Sequence, residues 1–236
     1  MQNINLMLAG LRDLVSNPTP RVPVALCLDV SGSMEGVPIQ ELNAGVQKYL
    51  EEMRDDDLTL SSVETAVVAF ADDAQCAADF TTPDRMDLPE LQAGGLTDMG
   101  AGLTMALDLL EKRKSQYKTA GVDYYQPILV VMSDGFPNGD PALLKQAEER
   151  ILQQTGERRL TVVAAGIGPN ADMETLAHLS PRQKPLYLGG LQFREFFAWL
   201  SRSMNRVSVS LPGDEPELDL DGLRALIAEP WPEEGL

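Results

Sequence analysis

The chain has 236 residues, 44% hydrophobic, with 36 Asp and Glu against 19 Lys and Arg, for a formal net charge of −17. The apolar share supplies a sizeable core and excludes a disordered chain, while so acidic a surface repels a phosphate backbone and excludes nucleic acid as a partner. The two cysteines, Cys27 and Cys76, stand in runs of apolar or small residues and are read as buried free thiols in a reducing compartment, not as a disulfide framework.

Ile4, Met7, Leu8, Leu11, Leu14 and Val15 recur at helical spacing, so residues 1–20 are expected to form a short amphipathic extension that packs on the next element. The segment has no basic leader region and no lysines on its polar side, and no run in the chain approaches the roughly 20 apolar residues of a membrane span. The expected setting is cytoplasmic, with no membrane partner. Val22 to Leu28 is an uninterrupted apolar run, read as a strand buried on both faces of a parallel sheet. The residues directly after Leu28 emerge at the carboxyl edge of that sheet, where open α/β folds bind ligands.

Asp29-Val30-Ser31-Gly32-Ser33 stands at that edge and offers one carboxylate and two hydroxyls at alternate positions. These are hard oxygen donors, suited to Mg²⁺, Mn²⁺ or Ca²⁺ and not to zinc. Mg²⁺ fits best, because it tolerates one or two carboxylates beside neutral oxygens and keeps several waters. Two neutral hydroxyls leave its charge partly uncompensated, so an open position would take a carboxylate from outside the chain. The competing reading is a turn that caps the next helix.

Pro38 starts that helix, with Ile39, Leu42, Val46, Tyr49, Leu50 and Met53 along one face and an end before Asp55-Asp56-Asp57. Val63 to Ala71 and Gln75 to Phe80 read as a hairpin turning at Asp72-Asp73. Gly94-Gly95-Leu96-Thr97-Asp98 opens a helical stretch continuing through Leu103 to Arg113, and Ile128 to Ser133 is a second apolar strand that ends in Ser133-Asp134-Gly135. A helix over Pro141 to Gln154, a strand over Leu160 to Gly166 and a short last strand at Leu186 to Leu188 come next. Phe193, Phe196, Phe197 and Leu200 give the final helix a core stripe. The lone histidine, His178, lies in a helical context and is read as a surface or capping residue. Beyond 207 the composition turns to Pro and acid, a tail in which Asp221 caps a short helix bearing Leu223, Leu226 and Ile227 and Trp231 tacks the end down. A calcium loop over Glu217 to Gly222 fails, because its twelfth position is Ala228 and not a carboxylate.

Together, the pentad at Asp29, the loop at Thr97 and the Asp134-Gly135 pair resemble the von Willebrand factor A domain, whose metal-ion-dependent adhesion site combines Asp-x-Ser-x-Ser, a distant Thr and a later Asp-Gly. The resemblance spans roughly residues 20–206. It implies a three-layer, Rossmann-like α/β fold with a mostly parallel central sheet, one antiparallel edge strand and helices on both faces. It also implies that Ser31 and Ser33 bind the ion directly, Thr97 directly when a ligand is bound, and Asp29 and Asp134 mostly through waters. Leu96 departs from the pattern, standing where many members have Gly-Gly-Thr without a break. Arg21 to Met34, Gly36-Val37-Pro38-Ile39, Ser133 to Asn138 and Glu195 to Ser201 are similar to stand-alone bacterial domains associated with tellurium resistance, which implies a cytosolic protein of a stress-response system.

The expected organisation is thus an extension at 1–20, the α/β domain at 21–206 and an acidic, Pro-containing tail at 207–236. The expected function is a metal-dependent binding module that performs no covalent chemistry. Mg²⁺ at Asp29, Ser31, Ser33, Thr97 and Asp134 would accept an Asp or Glu from a protein partner, and the loops bearing Asp72-Asp73, Asp98 and Phe136-Pro137 would select it. One rival is a Mg²⁺-dependent phosphatase-like enzyme with Asp29 as nucleophile, resembling the haloacid dehalogenase phosphatases; their pattern has a second Asp two positions on, where this chain has Ser31. The other is a scaffold that keeps the fold without using the site. No phosphate-binding loop occurs, and Gly166-Ile167-Gly168 lacks the third glycine of a dinucleotide fingerprint.

Overall fold

A computed structural model describes Leu14, Asn17, residues 19–189 and 192–209, Leu218, Asp219, Gly222 and Leu223. In chain order its elements are β1 (Val22–Asp29), α1 (Val37–Arg54), α2 (Asp57–Ser62), β2 (Val63–Phe70), β3 (Ala74–Thr81), α3 (Met99–Ala120), β4 (Ile128–Ser133), α4 (Pro141–Gly156), β5 (Thr161–Ile167), α5 (Met173–Leu179), β6 (Leu186–Leu188) and α6 (Phe193–Ser208). Every residue of β1, β2, β4 and β5 is buried, as continuous apolar runs require of strands covered on both faces.

The sheet order is β3-β2-β1-β4-β5-β6. All pairings are parallel except β2 with β3, the expected hairpin. Successive β1 side chains alternate between two core layers: Val22, Val24, Leu26 and Leu28 pack with α1 and α6, whereas Ala25 and Cys27 pack with α3 and α4. The aromatic stripe of α6 is core, with Phe193, Phe196 and Phe197 fully buried. From β1 the chain passes to β2 on one side, and from β4 to β5 on the other. The strand order therefore reverses between β1 and β4, which opens a crevice at their carboxyl ends.

Glycine lets α3 lie close to its neighbours. A Cβ built on Gly100 would stand 2.6 Å from the backbone nitrogen of Leu144 in α4, a contact that no side-chain rotation relieves. Gly100→Ala is expected to cost about 1–3 kcal/mol; an unchanged urea midpoint would mean that α4 yields freely.

Three features differ from the sequence reading. Helix α3 is longer than the expected 103–113 because Asp98 caps it, accepting from the Ala101 amide at 3.0 Å, and Gly121 ends it at φ 68°. Helix α2 has no sequence signal beyond its cap, where Asp56 accepts from the Thr59 amide at 2.7 Å. As the sequence reading has it, His178 lies in a helix, α5, begun by Asp172 in the same way, and is exposed in its last turn. Cys76 is exposed, not buried: it lies on the edge strand β3, where only Phe80 is buried. Cys27, in the central strand, is buried as expected.

Leu14 packs with Tyr117 and Val122. Leu223 is buried in the α1/α6 layer, and the Trp199 indole donates to the Asp219 carbonyl at 2.8 Å. The rest of the expected N-terminal helix, and Asp221, Leu226, Ile227 and Trp231, lie outside the described residues.

Candidate metal centre

The crevice holds the expected oxygen donors. Asp29, the last residue of β1, is fully buried. One carboxylate oxygen accepts from the Ser31 amide at 2.8 Å, and the other accepts from the Ser133 hydroxyl, at the end of β4, at 2.6 Å. Both oxygens are thereby fixed, and Asp29 ties the β1 and β4 termini together. The Ser31 and Ser33 hydroxyls lie 3.1 Å apart, and Ser33 donates to Asp134 at 2.8 Å. Ser31 is buried, Ser33 exposed and Asp134 half-buried, so the donor set grades from the core to solvent within a few ångströms.

Thr97 joins this group through its backbone. Its amide donates to the Asn138 side chain at 2.7 Å, and the Asn138 amide donates back to the Thr97 carbonyl at 3.1 Å. On the other side, the Gly32 amide donates to the Gly95 carbonyl at 3.0 Å. The Thr97 loop is thus stapled between the serine loop and the Asp134 loop.

Two carboxylates on the loops expected to select the partner also brace those loops. The Asp98 carboxylate caps α3, and Asp72 accepts from the Leu96 amide at 2.8 Å. A side chain on Gly95 would collide with that carboxylate at 2.6 Å, and Gly95 also adopts φ 82°; both facts account for glycine there. Ser133 and Asn138, to which the sequence assigned no role, brace the site. The Ser-Asp-Gly run at the strand end was the signal for Ser133, and Asn138 stands three residues beyond it.

The electrostatics favour a cation. Residues 29–36, 71–73, 92–98 and 134–140 include seven carboxylates and no Lys or Arg, a concentration of one sign that raises the local potential for positive ions. Burial pushes the Asp29 carboxyl above the usual range, hydrogen bonds from Ser133 and Ser31 pull it back, and the Asp134 charge pushes it further up. Burial likewise raises Asp134, against the Ser33 hydrogen bond. Cys27, two residues before Asp29, is pushed far above the thiol range by burial and then by Asp29, and it packs in the layer formed with α3 and α4.

The donors suit a hard divalent ion. Octahedral Mg²⁺ binds oxygen at about 2.0–2.1 Å, which sets neighbouring ligands roughly 3 Å apart. The 3.1 Å and 2.8 Å separations along Ser31, Ser33 and Asp134 are of that size. Among the described residues no group of three or more His, Cys, Asp or Glu side chains could hold a metal; the candidate centre owes its character to hydroxyls.

Residues 24–136 match the family model for the von Willebrand factor type A domain. Inter-alpha-trypsin inhibitor heavy chain H3 of Mesocricetus auratus is 25% identical over 165 residues, 67% of this chain but 18% of that protein. The chain thus spans less than a fifth of the length of that relative. Among solved structures, the vWF domain of the type V pili tip protein Mfa5 from Porphyromonas gingivalis superposes with TM-score 0.61 at 13% identity, over 83% of this chain and 99% of that one. Proximal thread matrix protein 1 from the mussel byssus, with a zinc-occupied MIDAS motif, superposes with TM-score 0.55 at 19% identity, over 79% of this chain and 48% of that one. The chain therefore has a von Willebrand factor type A fold, and over residues 24–136, which include Asp29, Ser31, Ser33, Thr97 and Asp134, it is similar in sequence to that family.

Proposed function

We propose that the chain is a metal-dependent protein-binding module. Mg²⁺ is held by Ser31, Ser33 and Thr97, with Asp29 and Asp134 in support, and binds a partner's Asp or Glu at its open position. The observation that carries this reading is the chain of oxygens from Asp29 through Ser31 and Ser33 to Asp134, drawn from the ends of two strands into one cluster. The zinc-occupied MIDAS of a structural neighbour supports a divalent ion at such a site. The domain limits of 21–206, which rest on the span of the family resemblance, a cytoplasmic location, which rests on the reading of the N-terminal segment and the free thiols, and a role in a stress or tellurium-resistance-type system, which rests on the subgroup resemblance, complete the proposal.

The module performs no covalent chemistry. Asp29 is fully buried and each of its oxygens is held by a hydrogen bond, which leaves little room for a substrate phosphorus to approach in line. The position two residues on is Ser31, so the second Asp of the phosphatase pattern is missing. A generic phosphate ester should not be turned over in the presence of Mg²⁺, and turnover that depended on Asp29 would overturn this part of the reading.

Metal binding should depend on pH in a defined direction. Asp29 and Asp134 have raised pKa values, so they bind a proton more readily in the fold than in the unfolded chain. Their stabilising contribution is present below the ordinary carboxylate value of about 4 and lost as pH rises through the raised values. A cation compensates the charges that then appear. The Mg²⁺-induced rise in thermal midpoint should accordingly grow as pH rises from below about 4 through the raised values and level off once both carboxyls are ionised, and a rise that shrank with pH would contradict the assignment.

A further inference from the structure

We propose that the partner group is a lone Asp or Glu flanked by apolar side chains, with Lys or Arg on the outer border, on a protein segment. This rests on the metal reading above and adds the chemistry of what surrounds the carboxylate. Large hydrophobic side chains that remain exposed are few among the described residues, and three of them stand beside the metal centre: Val37, the first residue of α1, at 59%, and Leu96 and Phe136, on its loops, at 57% and 68% exposed. Each lies within four residues of a candidate ligand: Val37 of Ser33, Leu96 of Thr97 and Phe136 of Asp134.

The backbone holds Leu96 in place. Its own amide is fixed by Asp72, the carbonyl before it by Gly32, and the amide after it by Asn138. Phe136 comes after the Asp134-Gly135 turn and precedes Pro137, which confines its backbone to extended conformations. An apolar side chain fixed outward costs solvation in the free protein, and a partner that covers it recovers that cost.

Charge sets the outer border. Glu35, Asp72, Asp73 and Asp140 are exposed around the centre, with no Lys or Arg on the same loops. A second acid beside the one on the ion would face these carboxylates, whereas basic residues farther out would be attracted to them. The same rim repels an anionic lipid surface, so Leu96 and Phe136 suit a protein segment better than a membrane.

The test is selection of a displayed random-peptide library on the full chain in Mn²⁺, run in parallel with chelator. Expected metal-dependent winners carry one acid between apolar residues, with Lys or Arg outside. Metal-dependent winners rich in acids, or with polar flanks, would overturn this inference and leave the metal reading standing. Winners indifferent to chelator, or none, would overturn both. The double substitution Leu96→Ser with Phe136→Ser should weaken the selected peptides at least about tenfold, while Mn²⁺ titration of the variant matches the wild type. Unchanged peptide affinity, or loss of Mn²⁺ binding with the fold intact, would refute the role given to these two side chains.

Discussion

Glu64→Ala is expected to lower the unfolding free energy by about 3–5 kcal/mol, the range for breaking a buried charge pair from one side. Glu64 sits near the start of β2, paired in register with Pro23 of β1, at the opposite end of the sheet from the metal centre. Its carboxylate accepts two hydrogen bonds from Arg113 of α3, both at 2.7 Å, and one from the Tyr117 hydroxyl at 2.5 Å. The Arg21 Nε lies 3.5 Å away, close enough for an ion pair but without hydrogen-bond geometry. The side chains are 1% exposed at Glu64, 0% at Arg21 and 8% at Arg113. Burial alone would pull the Arg113 guanidinium down, but Glu64 more than offsets it and leaves it above its ordinary value. Removing the carboxylate strands two guanidinium groups out of water. Denaturant unfolding of the variant measures the loss, and a change below about 1 kcal/mol would show that water readily replaces Glu64.

Asp29→Ala should weaken Mn²⁺ binding by at least about 10–100-fold, the usual effect of removing a group that orients metal ligands. The substitution also takes the acceptor from the Ser31 amide and the Ser133 hydroxyl, at a cost of about 1–3 kcal/mol each if they stay buried and unpaired. Ser33→Ala separates the two effects. Ser33 is exposed, so that variant should keep its thermal midpoint while losing Mn²⁺ affinity. Calorimetric titration of wild type and both variants, with an anomalous difference map from crystals grown in Mn²⁺, decides the matter. Wild-type affinity in both variants would remove Asp29 and Ser33 from the ligand set.

The site was legible because its chemistry is written at strand ends. A strand buried on both faces is an unbroken apolar run, so the first polar residues after it, Asp29 and Ser31 on β1 and Ser133 and Asp134 on β4, mark the carboxyl edge of the sheet. The same logic failed where burial is one-sided or polar. Cys76 looks like its apolar neighbours in sequence, yet an edge strand leaves it in solvent. Arg113 and Lys114 break the apolar pattern of α3, yet both are buried, so the helix runs seven residues beyond its legible end at Arg113, to Ala120.

By itself, then, the sequence determined the strands buried on both faces, the hairpin at Asp72-Asp73, and the hydroxyls and carboxylates gathered at the carboxyl edge, because alternation, apolar run length and donor chemistry are local properties, while the three layers and the hairpin's place at the edge came from the family resemblance. The tertiary structure alone decided what the remaining charges do. Asp98 caps α3 and Asp72 ties down the Leu96 amide, so both hold the loops in place, and Asp72 still leaves its charge exposed at the rim. Glu64 becomes the hub of a buried cluster only because α3 folds back across the sheet and brings Arg113, 49 positions away, into bidentate contact. A charged residue in a strand or helix reads the same whether water or a distant guanidinium will meet it, and only the packed chain fixes that choice.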